Sequence, residues 1–302
     1  MNIIKVSPRG YCKGVVRAIS IAKQCRERYP DQPITVLGML VHNEYVKNAL
    51  ALRGIRTIED PQRNRVQLLD EVESGVVIFT AHGISDQARA KAEQKGLICV
   101  DASCPDVVRT QELVRERLNQ GDEVFYIGKK RHPEAEAVCA LSEHVHLITK
   151  EQDIPACAED AAIFVTNQTT MSIYDVRQLF EQIKARYPQA HISEEICNAT
   201  RIRQQAVADL KGKHVDVLYV VGDTHSNNTK RLAQIGAQQG IPRVLLIDSI
   251  QDIEDEQLQG AEVVAVTSGA STPTYLTAQV IDYLENWENG ACKPPIILQD
   301  IL

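Results

Sequence analysis

The sequence predicts an α/β protein of three similar α/β domains. Their mostly parallel sheets are expected in a pseudo-threefold arrangement around a central cavity. Three observations predict this. Short apolar, β-branched runs alternate with amphipathic segments of helical period. Six of those runs end in polar tips, two in each third of the chain. Three cysteines, Cys12, Cys104 and Cys197, recur at intervals of 92 and 93 residues, each where a strand gives way to a helix.

The opening MNIIKVSPRG reads as a strand and a turn, without the charged-then-apolar pattern of a signal peptide. After Cys12, Val15, Ile19 and Ala22 give the first helix its apolar stripe. ITVLGMLVHNEYV is a strand that exits into His42 and Asn43, and VVIFTAHGIS exits into His82 and Gly83. Cys104 follows in VDASCP, with Pro105 at the first helical position and Gly121 just past the helix end. EVFYIGKKRHPEAE exits into His132, Pro133 and Glu134, and AIFVTNQTTMS into Asn167, Gln168, Thr169 and Thr170. Ser172 opens a helix in a Ser-x-x-Asp capping pattern, with Ile173, Val176, Leu179, Phe180 and Ile183 on one face. Cys197 lies in EEICNAT. VLYVVGDTHSNNTK then exits into Ser226, Asn227 and Asn228, and EVVAVTSGASTPT into Gly269, Ala270 and Ser271. The repeat sets units at 14–104, 105–197 and 198–285. The N-terminal strand, 1–13, joins the last of these, and 286–302 form a tail.

This pattern carries chemistry. Three thiolates at one centre can hold an iron–sulfur cluster and leave one iron open as a Lewis acid. Ligands of parallel α/β units bind beyond the carboxyl ends of strands, where helix N-termini attract anions. Tips rich in His, Ser, Thr and Asn suit a phosphate or diphosphate, without a Walker-type glycine loop. Glu134 is a carboxylate set directly inside a tip. Buried beside a diphosphate it would keep its proton at neutral pH, and Thr169 could relay that proton. Plainer roles fit other residues: Cys25, Cys99 and Cys139 as buried packing, Cys157 and Cys292 as surface thiols. Ser85, Ser172 and Thr229 read as helix caps.

A net charge of −7 gives no broad basic surface for nucleic acid. No apolar run reaches the ~18–20 residues that span a bilayer. Eight cysteines without a close CxxC pair fit reduced thiols or metal ligation in the cytoplasm, and argue against a zinc ribbon or disulfide framework.

The segments PRGYCKGVVRAI, VHNEYV, TAHGIS, DASCP, HPEAE, TNQTTMS, EEICNAT, SNNTKRLA and GASTPT occur in this order. Together they resemble the LytB family of 4-hydroxy-3-methylbut-2-enyl diphosphate reductases, which complete the non-mevalonate isoprenoid pathway. The resemblance implies one 4Fe–4S cluster per chain on Cys12, Cys104 and Cys197, with the substrate hydroxyl on its unique iron. It implies a diphosphate held by His42, His82 and His132 with Ser226, Asn227, Asn228 and Ser271. It also implies substrate contact at Thr169, support from Gln168, and Glu134 beside His132 as the proton source. The products would be isopentenyl and dimethylallyl diphosphates. The electron donor would be a ferredoxin or flavodoxin. This chain departs from the family pattern at Val108, Gln111 and Ala137, which bears on hydrogen bonds around Cys104 and on the turn at Glu134. Two other readings use parts of the same pattern: a metal-dependent hydrolase of a phosphorylated substrate, which leaves the cysteines unexplained, and a non-catalytic iron–sulfur sensor, which gives Glu134 no role.

Overall fold

The structure is a computed structural model and describes residues 1–302 apart from 159, 225, 289 and 290. The chain runs β1 (Asn2–Lys5), α1 (Lys13–Arg28), β2 (Ile34–Leu37), α2 (Glu44–Leu52), β3 (Ile55–Ile58), α3 (Arg65–Leu68), β4 (Val76–Phe79), α4 (Asp86–Gln94) and β5 (Ile98–Asp101). It continues through α5 (Pro105–Asn119), β6 (Glu123–Ile127), α6 (Pro133–Cys139), β7 (Val145–Ile148), β8 (Ile163–Asn167), α7 (Ile173–Arg186) and β9 (His191–Ile192). The last third holds α8 (Asn198–Ala208), β10 (Val217–Val221), α9 (Asn227–Gln238), β11 (Arg243–Ile247), α10 (Asp255–Leu258), β12 (Val263–Ser268) and α11 (Thr274–Glu285).

Among the described residues these strands form three four-stranded sheets, every pairing parallel. The orders are β3-β2-β4-β5, β7-β6-β8-β9 and β1-β12-β10-β11. They are one design. β2 and β4, or β6 and β8, lead off to opposite sides of their sheets; in the third sheet β10 leads to β11, while β12 has the N-terminal β1 on its outer side, so in each sheet the strand order reverses between the central pair. That reversal is where an open parallel sheet leaves a crevice at its carboxyl edge. All six polar exits read from the sequence follow these central strands.

The central strands are buried along almost their whole length and mostly apolar, because both faces are covered. In β10, Val217, Tyr219 and Val221 join one buried cluster, while Leu218 and Val220 join another on the opposite face. In β6, Phe125 and Ile127 pack with α7 residues such as Val176 and Ile183, while Val124 and Tyr126 turn to Val114, Ala135 and Val138. Each such aliphatic side chain contributes about 1.5–3 kcal/mol by leaving water.

Local signals place the helices. Pro105 opens α5, and Gly121 (φ 88°) follows its end in the left-handed region. Ser172 accepts the Asp175 N–H at the start of α7, and Ser85 accepts the Ala88 N–H at the start of α4. Thr229 is not a cap. It lies inside α9, and the Ser226 hydroxyl accepts its N–H, because the chain turns into the helix three residues earlier than expected.

By packing, the chain divides into two compact bodies. One comprises Met1–Val16, Val41–Arg53 and Asn198–Leu302, the other Arg17–Leu40 and Gly54–Cys197. The first contains the sheet of β1 and β10–β12; the second contains the other two. No helix among the described residues is long and apolar enough to cross a membrane.

Candidate active site

The three cysteines occupy one structural position three times over. Each follows the strand that flanks the second exit of its sheet: β1 for Cys12, β5 for Cys104, β9 for Cys197. Each stands immediately before a helix, α1, α5 or α8. Each donates its backbone N–H to the carbonyl of a residue in that exit: Cys12 to Ala270 (3.0 Å), Cys104 to Ala81 (2.9 Å), Cys197 to Thr169 (3.0 Å). All three are outside any disulfide and half-buried. Burial pushes the Cys25, Cys99 and Cys157 thiols up, and takes Cys139 up to about 11, so these stay protonated. Among the described residues, no three His, Cys, Asp or Glu side chains converge closely enough to hold a single metal ion.

In the second body the exits of β4, β6 and β8 bring His82, His132, Glu134, Gln168 and Thr169 into play. His132 caps α6, its Nδ1 accepting the Glu134 N–H at 3.2 Å. In the neutral imidazole that leaves Nε2 carrying the hydrogen, a donor suited to an anion. The His82 and His132 rings meet edge to face at 5.6 Å. His82 Nδ1 lies 3.4 Å from the Thr80 hydroxyl, which accepts from Arg65 at 3.1 Å. Gln168 is fully buried and braces two exits: its Oε1 accepts the Lys129 N–H at 3.0 Å, and its Nε2 donates to Thr170 at 3.0 Å.

Glu134 is 1% exposed. Its Oε1 accepts the Thr169 N–H at 2.7 Å and the Tyr126 hydroxyl at 3.3 Å, while its Oε2 faces the Thr169 hydroxyl at 3.0 Å. Burial pushes the carboxyl up to about 7; the Thr169 and Tyr126 donors pull against this, and the negative charge of Asp106 adds to it. A carboxyl poised near neutrality beside a hydroxyl is equipped to donate a proton and take one back.

The first body gathers Cys12, His42, Ser226, Asn227, Asn228 and Ser271. The Ser271 hydroxyl donates to the His42 carbonyl at 2.9 Å, tying the β2 exit to the β12 exit. Ser226 caps α9, placing Asn227 and Asn228 in its first turn. Asn228 is 5% exposed, yet neither polar atom of its amide has a hydrogen-bond partner. Buried amides left in that state cost free energy. Asp223, a second carboxylate in an exit, accepts the Glu44 N–H at 3.2 Å.

Sequence reasoning missed Tyr126, Arg65, Thr80 and Asp223. Asp223 was legible, since it stands two residues beyond β10. Tyr126 was not, because a strand-interior tyrosine carries no mark of the helix it will face. Gly83 has φ 86°, and a Cβ there would come within 2.8 Å of Gln111 Nε2 and 2.9 Å of Val107 Cγ1. Gly83→Ala is therefore expected to cost about 2–4 kcal/mol, from left-handed backbone strain and overpacking together. Urea unfolding would measure this; a loss below about 1 kcal/mol would show that the exit relaxes freely.

Fold and exits together define a class: an α/β protein of three repeated parallel sheets, with polar strand exits and a buried acid. The model of the LytB protein family matches residues 3–285. A 4-hydroxy-3-methylbut-2-enyl diphosphate reductase of Bacillus pumilus is 48% identical over 95% of this chain and 92% of its own length. One of Symbiobacterium thermophilum is 46% identical over 95% of this chain and 98% of its own. The solved E-1-hydroxy-2-methyl-but-2-enyl-4-diphosphate reductase of Plasmodium falciparum superposes with a TM-score of 0.88 at 30% identity, over 95% of this chain and 88% of that one. A solved (E)-4-hydroxy-3-methyl-but-2-enyl diphosphate reductase, described as the terminal enzyme of the non-mevalonate pathway, gives 0.67 at 26% identity, over 95% of this chain and 100% of that one. The chain belongs to the LytB family.

Proposed function

We propose that this protein is an oxidoreductase that removes the hydroxyl of 4-hydroxy-3-methylbut-2-enyl diphosphate, releasing isopentenyl and dimethylallyl diphosphates. Two electrons and two protons enter; one proton leaves with the hydroxyl as water and the other ends on carbon. The observation that carries the reading is Glu134, a buried carboxyl with its pKa near 7, bonded to the Thr169 hydroxyl. Reductive loss of a poor leaving group needs a proton delivered where water is excluded.

Cys12, Cys104 and Cys197 would hold a 4Fe–4S cluster. The donor set fits it: three half-buried cysteines outside any disulfide, in equivalent positions, each fixed by its own backbone N–H. Cluster ligands attach at separate irons, so they need not converge on one ion. When bound, such a cluster supplies the electrons and a Lewis-acidic iron for the allylic C–O bond. The protein's own groups do the rest. His42, His82 and His132 with Ser226, Asn227, Asn228 and Ser271 hold the diphosphate, whose binding energy positions the reacting end. Gln168 keeps the β6 and β8 exits in register. Glu134 passes its proton to Thr169, whose hydroxyl passes its own onward. A ferredoxin or flavodoxin supplies the electrons, and the cytoplasm is the working compartment.

The test is anaerobic turnover of the hydroxylated diphosphate with a reduced donor, with both isopentenyl isomers quantified. Cluster-loaded protein that releases neither product would end the reading. For the diphosphate site, Asn228→Ala is expected to raise KM about tenfold or more while leaving the melting temperature unchanged or higher. It removes a ligand donor together with an unsatisfied buried amide. An unchanged KM would take Asn228 out of the site.

A further inference from the structure

The hydrogen bonds around Glu134 decide more than its acidity: they decide which of its oxygens can carry the proton. Oε1 receives two donors. One is the Thr169 backbone N–H, which cannot do otherwise than donate. The other is the Tyr126 hydroxyl. A proton on Oε1 would face both. Oε2 has a different neighbour, the Thr169 hydroxyl at 3.0 Å, which can accept as well as donate.

We propose that Tyr126 is a positioning residue that, with the Thr169 N–H, reserves Oε1 of Glu134 as an acceptor and so places the acid's proton on Oε2, against the Thr169 hydroxyl. This rests on the reading of Glu134 as the proton source and names the residue that aims it. The step balances simply. The proton leaves Oε2 for Thr169 Oγ1, the hydroxyl's own proton moves on towards the substrate, and Glu134 is left as a carboxylate. Tyr126 and the Thr169 N–H then hold the new anion at Oε1.

Three features support the assignment. Tyr126 is fully buried, and its ring packs in the cluster with Val114, Ala135, Val138 and Phe164, so the hydroxyl has a fixed aim. Burial and the neighbouring Glu134 hold its hydroxyl well above the ordinary tyrosine range, so it remains a donor at any working pH. The donor reaches Glu134 across the sheet-to-helix interface, from β6 to the first turn of α6, so the acid is aimed by its scaffold and not by a mobile loop. The other titratable groups about this acid are Asp106 on α5, which raises it, His132 at the N-cap of α6, and Cys139 at the end of α6, which acts on Tyr126.

Tyr126→Phe keeps the ring and removes the donor. The first readout is the carboxylic C=O stretch of Glu134 in the infrared spectrum of the cluster-loaded protein, assigned by its absence in Glu134→Gln. With the proton on Oε2, the C=O oxygen is Oε1, so losing a donor there moves the band to higher wavenumber. The band also persists about one pH unit further into the alkaline range, because the carboxylate has lost a hydrogen bond. In turnover, the alkaline limb of kcat shifts up by a similar amount and kcat falls about tenfold, with KM within about twofold. A band unmoved in both frequency and pH would overturn the proposal and leave Tyr126 as packing. The outcomes separate from the wider reading. A shifted band in a protein without reductase turnover sustains the proton address and sinks the function. Reductase turnover with an unmoved band does the reverse.

Discussion

Glu134→Gln is expected to cut turnover by at least about 10²-fold and, at pH 8, to make the protein more stable. The first effect follows from losing a general acid. Gln keeps the shape of the protonated acid: its oxygen can accept from the Thr169 N–H and Tyr126, and its NH₂ can donate to the Thr169 hydroxyl. Substrate binding should therefore survive. The second effect is one of linkage. The Glu134 carboxyl is held at about 7 in the folded protein, above the ordinary 4.5, so folding binds its proton more tightly than the unfolded chain does. The stability this contributes is complete below the unfolded pKa and is lost as pH rises through about 7. At pH 8 the parent must bury an anion and the variant need not. The difference should approach about 2–3 kcal/mol there and fade towards pH 4. Urea denaturation at both pH values measures it. Retained turnover would move the proton source elsewhere, and a pH-independent stability difference would show that the carboxyl titrates normally.

Cys104→Ser and Cys139→Ser should behave as opposites. Cys104 stands at one of three equivalent positions, half-buried, with its N–H on the Ala81 carbonyl. Its replacement is expected to strip most of the bound iron and sulfide and to lower turnover by more than about 10²-fold, beyond what losing an outer-shell partner costs. Cys139 ends α6 with its thiol pushed up to about 11 by burial. Its replacement should leave iron content and turnover in place and cost about 1 kcal/mol of stability. Iron and sulfide analysis after anaerobic purification decides between them. Full iron in Cys104→Ser, or its loss in Cys139→Ser, would break the assignment of the thiol triad.

Much of this site is legible in the amino-acid sequence, for a physical reason. A central strand of a parallel sheet is covered on both faces, so it reads as an unbroken apolar run, as in VVIF and VLYVV. The first polar residues after such a run fall at the carboxyl edge, where ligands bind. That rule points to the stretches that hold His42, His82, His132, Thr169 and Ser271; after β10 it points to Asp223 before it reaches Asn228. Helix caps are less legible. Ser226 and Thr229 are both cap-forming types three residues apart, and only the backbone at Ser226 (φ −66°, ψ 120°) decides which one caps.

The sequence by itself determined the α/β class, the strand exits and the three cysteine junctions, because hydrophobic period and turn chemistry are local properties. The tertiary structure decided the rest. Strand order placed every exit beside a reversal in its sheet. Cys12, Cys104 and Cys197 were tied to the Ala270, Ala81 and Thr169 carbonyls across 258, 23 and 28 residues of chain. Tyr126 was brought under Glu134 because alternate residues of β6 face opposite sides, and this one faces α6. A carboxyl acquires its working pKa from burial and from donors that arrive only when distant segments pack, and no spacing along the chain encodes that.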